Sequence, residues 1–260
     1  MSPDPTPTPL TATVWWAHTS AASSRLVRLL DEGERTRNER FRFQADRDRH
    51  LLGRAMTRLT LAELSGCPPE FIAFDLHCRS CEDKERAGVE RDRNPHGKPF
   101  PIGAAQGWEF SVTHSGEWVA LAVTEGIPVG VDVERVAPAR DLDGLAGYTL
   151  AEPEHRVWSG LGEPERTGAF YGYWARKEAL LKATGLGLSG GLRRVTVSAP
   201  HEAAEFVSWE GGGAPGPVWM ADLEREEEYR SAVAVLTDRP VDLRVRTAQE
   251  TVSELLAARS

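Results

Sequence analysis

Hydrophobic side chains recur with two different periods along the chain. TATVWWA at 11–17 alternates with the two-residue rhythm of a strand. A charged stretch from about Ser24, RLVRLLDEGERTRNERFRF, reads as helix. DRDRHLLGRAMTRLTLAELSG at 46–66 follows, with Leu51, Leu52, Ala55, Met56, Leu59 and Ala62 near one helical face. Gly66 and the Pro68–Pro69 pair end it. Strands are predicted at FIAFDLH, on both sides of a turn at Ser115–Gly116 in WEFSVTHSGEWVALAVTEG, and at IPVGVDVERV. TLAEPEHRVWSGL opens a short helix, for which Thr149 as N-cap and Glu152 three residues on form a capping box. The helix ERTGAFYGYWARKEALLKATG runs to Gly185. Strands are expected near 192–198, 204–209, 217–223, 230–237 and 241–246, then a C-terminal helix from Gln249.

Each half of this order holds a long amphipathic helix and strands, and ends in a similar run: EWVALAVTE at 117–125 and YRSAVAVLTD at 229–238. The expected fold is therefore α+β, with two similar halves. Residues 1–10, rich in Pro and Thr, are a disordered lead-in. Residues 11–126 form the N-terminal half, and 127–260 form the C-terminal half.

Composition narrows the class. The 260 residues, 40% hydrophobic, suffice for a well-buried core. No apolar run is long enough to span a membrane. Three cysteines are too few for a disulfide framework and point to a reducing cytoplasm. The net charge of −8 argues against general nucleic-acid binding. That charge is unevenly spread: residues 25–58 hold ten Arg against six acidic residues, and 201–260 hold six Arg against twelve. An acidic protein with one Arg-rich segment suits a small anionic ligand, although a solvated helix face would look the same.

Two segments carry chemistry. In GVDVE, Val131 and Val133 point to one side of a strand, and Asp132 and Glu134 to the other. Carboxylates two residues apart on a strand are separated by roughly 6.7 Å and repel by roughly 2–3 kcal/mol at an effective dielectric near 20. A cation relieves that repulsion; so does plain solvation. In WARKEALLKATG at 174–185, Glu178 supplies a third carboxylate, while an i,i+4 Glu178–Lys182 pair would account for both residues without any function. Three oxygen ligands without Cys or His favour magnesium or manganese over zinc. Lys98, His114, Lys182 and the Arg cluster at 37–49 would hold the rest of a phosphate-bearing ligand.

The ordered set ERFRFQADRDRHLLGR, NPHGKPF, FSVTHSG, GVDVERV and FYGYWARKEALLKATGLGL resembles the 4′-phosphopantetheinyl transferases of the Sfp type, over about residues 30–198. The resemblance implies two pseudo-twofold-related halves in one chain, with the active site at their interface. It implies coenzyme A as co-substrate, a magnesium ion, and transfer of the phosphopantetheine arm to a serine of an apo acyl or peptidyl carrier protein. It makes Asp132, Glu134 and Glu178 the metal ligands. Glu152 becomes the glutamate that helps to deprotonate the carrier serine, with Glu178 as the alternative base. Lys182 becomes the lysine at the coenzyme A phosphates, and Arg37, Arg49, Lys98, Thr113 and His114 become nucleotide contacts. Two departures stand out. A lysine contact of the family falls on Glu34, so Arg35 or Arg37 would replace it, and Thr113 stands where serine is common.

One chain supplies the whole expected site, so the protein is read as a monomer. Cys78 and Cys81 have CxxC spacing, with His77 and His96 near, but no second CxxC completes a zinc site. The rival readings are a magnesium-dependent phosphatase or nuclease, and a coenzyme A- or carrier-binding module without turnover.

Overall fold

The computed structural model describes residues 8–77, 97–138, 141–212 and 214–248. Strand β1 (Leu10–His18) leads through short 3-10 turns to α1 (Glu32–Arg40) and α2 (Gln44–Ser65). Then come β2 (Ala73–His77), β3 (Lys98–Ile102), β4 (Trp108–Ser115), β5 (Trp118–Glu125) and β6 (Val129–Arg135). Helices α3 (Leu142–Thr149), α4 (Glu152–Ser159) and α5 (Glu163–Thr184) follow. The last strands are β7 (Val195–Val197), β8 (Phe206–Trp209), β9 (Trp219–Asp222), β10 (Tyr229–Val235) and β11 (Val241–Thr247). The two long helices stop where the sequence predicts: Gly66 and Gly185 adopt left-handed conformations, φ 68° and 73°, that glycine takes without strain.

The layers run helix, sheet, sheet, helix. The first sheet has the order β11-β1-β5-β4 and the second β6-β10-β9. Helix α2 covers the outer face of the first sheet, where Leu52, Met56 and Leu59 meet Trp15, Leu121 and Val123. Between the sheets, Val14, Trp16, Ala120 and Ala122 pack on Val131, Val133, Val233 and Val235. Helix α5 covers the far face of the second sheet, with Phe170, Ala179 and Leu180 packed beside Ala232 and Ala234. Strand β1 is therefore buried on both faces, so its alternation separates two cores rather than core from solvent.

Several expectations are corrected. The charged stretch from Ser24 is not one helix: a 3-10 segment, Ser24–Leu29, precedes α1, and Asp31 and Glu34 build a capping box between them. Thr149 does not cap α4. It ends α3, its Oγ1 is buried without a partner, and Ala151 is the N-cap, with its N–H donating to Glu154 at 2.7 Å. Leu10, assigned by sequence to the lead-in, is buried at the start of β1. The sequence boundary at 126/127 would group β11 with the second half, but β11 pairs in parallel with β1 from Leu10↔Val241 to Trp16↔Thr247. The expected C-terminal helix from Gln249 and the Cys78–Cys81 motif lie outside the described residues.

Candidate active site

Close approach of α5 to β6 builds the site. Gly130 lies on the face of β6 that also carries Asp132 and Glu134, and a Cβ there would sit 1.9 Å from the Ala179 carbonyl oxygen. Glycine thus lets the strand touch the helix backbone, and this brings Asp132 and Glu134 up to Glu178 and Lys182. Lys182 Nζ lies 2.6 Å from Asp132 Oδ1 and 3.3 Å from the Val131 carbonyl oxygen. The simple helix pair of Glu178 with Lys182 is not formed; Glu178 Oε1 and Asp132 Oδ2 are both buried without a hydrogen-bond partner.

The electrostatics record the crowding. Burial raises the Asp132 pKa, opposed by Lys182 and Thr113. Burial and then the Asp132 charge push Glu134 up to about 7. Burial and Asp132 likewise raise Glu178. Three carboxylates that sense one another, two with orphaned buried oxygens, are a costly arrangement that a bound cation would relieve. Among the described residues no three His, Cys, Asp or Glu side chains stand close enough together to hold a metal ion as they are placed. Lys182 occupies one Asp132 oxygen, and the set stays open.

Beside this cluster lies a cavity of about 440 Å³ lined by both halves. Arg37, Arg49, His50, Gly53, Arg54 and Lys98 come from one side, and Lys182, Gly185 and Gly187 from α5 and the turn after it. Five of the six sequence-predicted nucleotide contacts, Arg37, Arg49, Lys98, His114 and Lys182, line it. Thr113 does not; its hydroxyl donates to Asp132 Oδ1 at 3.0 Å. Of the two residues proposed to replace the family lysine, Arg37 reaches the cavity. Glu34 itself is structural, bonded to Arg58 at 2.9 Å and facing Arg54 at 3.5 Å. Lys98 sits 3.5 Å from Glu109, and burial lowers its pKa.

His50 and Arg54 were missed from the sequence, although with Gly53 they share one helical face at i, i+3 and i+4. The Asn38 amide nitrogen donates to the Arg47 carbonyl at 2.8 Å, which fixes the amide. The same nitrogen lies 3.1 Å from His50 Nδ1, so that ring nitrogen accepts and Nε2 carries the proton. His50 Nε2 is buried without a protein partner. Burial, Arg54, Arg37 and His114 lower the His50 pKa to about 4.

Glu152 stands apart from the buried cluster. It is the first residue of α4, its side chain is 74% exposed, and Arg156 lies 3.9 Å away. Arg176 and Lys177, adjacent to Glu178, are buried in structural networks. Arg176 binds Asp222 at 2.5 Å and the Ser198 carbonyl at 2.8 Å. Lys177 pairs with Glu154 and donates to the Thr149 carbonyl at 2.8 Å. Burial raises Glu154 and lowers Lys177, each opposed by its partner.

Two α+β halves, with an acidic cluster beside a basic cavity that both of them line, make a site suited to an anionic ligand. Comparison with known sequences narrows the reading. A profile of the 4′-phosphopantetheinyl transferase superfamily matches residues 128–234, and one of the 4′-phosphopantetheinyl transferase N-terminal region matches residues 14–126. A phosphopantetheinyl transferase of Thraustochytrium sp. is 31% identical over 233 residues, covering 85% of this chain and 75% of its own. A putative 4′-phosphopantetheinyl transferase of Synechocystis sp. is 32% identical over 219 residues, covering 81% and 80%. The 4′-phosphopantetheinyl transferase Sfp of Bacillus subtilis is 25% identical over 229 residues, covering 88% and 92%. The chain belongs to the 4′-phosphopantetheinyl transferase superfamily and is of the Sfp type. The two matched stretches meet between β5 and β6. No helix among the described residues is long and apolar enough to cross a membrane.

Proposed function

We propose that this transferase moves 4′-phosphopantetheine from coenzyme A to a serine of an apo acyl or peptidyl carrier protein and releases adenosine 3′,5′-bisphosphate. The observation that carries the reading is the continuity of the basic cavity with the carboxylate cluster through Lys182, which lines the cavity and bonds Asp132. The Arg37, Arg49, Arg54 and Lys98 charges suit a ligand with several phosphates. His50 adds a neutral N–H donor that stays uncharged near pH 7.

Asp132, Glu134 and Glu178 would hold magnesium, with manganese as a substitute; the orphaned Asp132 and Glu178 oxygens fit such an ion. When bound, the ion neutralises charge on the diphosphate and the transferring phosphoryl group. The chain's own residues do the rest. The basic cavity wall fixes the nucleotide end, which orients the diphosphate. Glu152, which is open to solvent, takes the serine proton, because Glu178 is buried and is itself one of the assigned metal ligands. The serine oxygen bonds to the β-phosphorus as the bond to the bridging diphosphate oxygen breaks. Lys182 offsets the charge on the departing phosphate.

Both halves line the cavity in one chain, which suits a monomer, and the low cysteine content suits a reducing cytoplasm. The net charge of −8 disfavours docking by overall attraction to an acidic carrier, so a local patch and apolar contact would seat it. Incubation with coenzyme A, magnesium and several apo carriers, read by intact mass, tests the function. A phosphopantetheine mass gain is expected on at least one carrier. Hydrolysis of generic phosphate esters without any carrier gain would overturn it.

A further inference from the structure

At one side of the sheet-on-sheet interface the edge strands β4 and β6 come together, and side-chain hydroxyls rather than a backbone ladder join them. Ser111 Oγ accepts from Val131 N–H at 3.1 Å, Thr113 Oγ1 from Val133 N–H at 3.4 Å, and Ser115 Oγ from Arg135 N–H at 3.0 Å. The three contacts keep a constant parallel register and alternate with the strand period. An accepting hydroxyl still has its own proton to give. Thr113 gives it to Asp132 Oδ1 at 3.0 Å, and Ser115 gives it to Glu134 Oε2 at 3.0 Å. Ser111 faces the level of Gly130, where no carboxylate stands.

Each strand carboxylate is therefore fixed through one oxygen, and the other is left for a ligand: Asp132 Oδ2 is the orphaned atom of its pair. Glu134 needs this more than Asp132 does, because Asp132 is also held by Lys182. Glu134, by contrast, sits at the less buried end of β6, on a longer side chain. Without Ser115 its carboxylate would swing among several rotamers.

We propose that Ser115 is a positioning residue that aims Glu134 at the divalent cation. This rests on the metal reading given above. Ser111 provides an internal control, since it makes the same kind of seam bond with no carboxylate to orient.

The test is Mn²⁺ binding to the full chain without coenzyme A, followed by electron paramagnetic resonance, together with thermal melting. Ser115→Ala should weaken Mn²⁺ binding about tenfold, the range seen when an outer partner of a metal ligand is removed. Ser115→Thr, which keeps the hydroxyl as Thr113 does, should restore it. Ser111→Ala should lower the melting temperature while leaving Mn²⁺ affinity close to wild type. Wild-type affinity in Ser115→Ala, or an equal loss in Ser111→Ala, would overturn the positioning role. Absence of Mn²⁺ binding in the wild type, or undiminished binding in Asp132→Ala, would instead overturn the metal reading, and this inference would fall with it.

Discussion

Lys182 Nζ and Asp132 Oδ1, fifty positions apart in sequence, lie 2.6 Å apart at the contact of α5 with β6. The contact joins the basic cavity to the acidic cluster, because Lys182 belongs to both. A buried carboxylate paired through one oxygen, with the other unpartnered, is a costly arrangement for a merely structural ion pair.

Asp132→Ala and Glu178→Ala should each abolish carrier modification while the far-ultraviolet circular dichroism stays native. Both side chains border the cluster rather than the apolar cores, and their removal relieves mutual repulsion. Near-normal transfer rates by intact mass in either variant would contradict the metal assignment. Lys182→Ala should lower kcat by about 10²-fold or more, the scale of a lost electrostatic contact in the transition state.

Arg37→Glu should raise the KM for coenzyme A much more than it lowers kcat. Its side chain lines the cavity from α1, whereas Lys182, the lysine assigned to the departing phosphate, lines it from α5. Steady-state kinetics with coenzyme A varied at saturating carrier separates the two parameters.

Gly130→Ala should destabilise the fold severely, by about 3 kcal/mol or more, since the new methyl meets backbone rather than a movable side chain. Denaturant titration measures the loss. Tolerance of alanine would mean that α5 can shift outward from β6 without cost.

Lys177→Met should cost about 3–5 kcal/mol, because it leaves the buried Glu154 without its counter-charge. Glu154 still accepts from the Ala151 and Val197 N–H groups, so the double variant Lys177→Met/Glu154→Gln should recover part of the loss. Urea unfolding of the single and double variants checks this.

His50 makes stability depend on pH in one window. Its folded pKa of about 4 lies below the ordinary 6.5. Between these values the unfolded chain binds a proton that the folded chain does not, so stability falls as pH falls from 6.5 toward 4. Discounted for partial exposure, the effect is about 1–2 kcal/mol. His50→Gln should flatten that part of the stability profile relative to wild type, as read by chemical denaturation at several pH values. An unchanged slope would show that His50 titrates normally.

The sequence by itself determined most elements and the two long helices with their glycine stops. Periodicity reports which face of an element is apolar, and the order of five short motifs carried the family resemblance. Only the tertiary structure decided what covers each face. Periodicity could not show that β1 separates two cores, that β11 crosses to the first sheet, or that Thr149 ends one helix instead of capping the next. It also could not distinguish the charges of WARKEALLK, where Arg176 and Lys177 lock the helix in place while Glu178 and Lys182 meet Asp132. A charged side chain takes its role from its partner. Here the partners lie twenty to fifty residues away, at distances that packing alone sets.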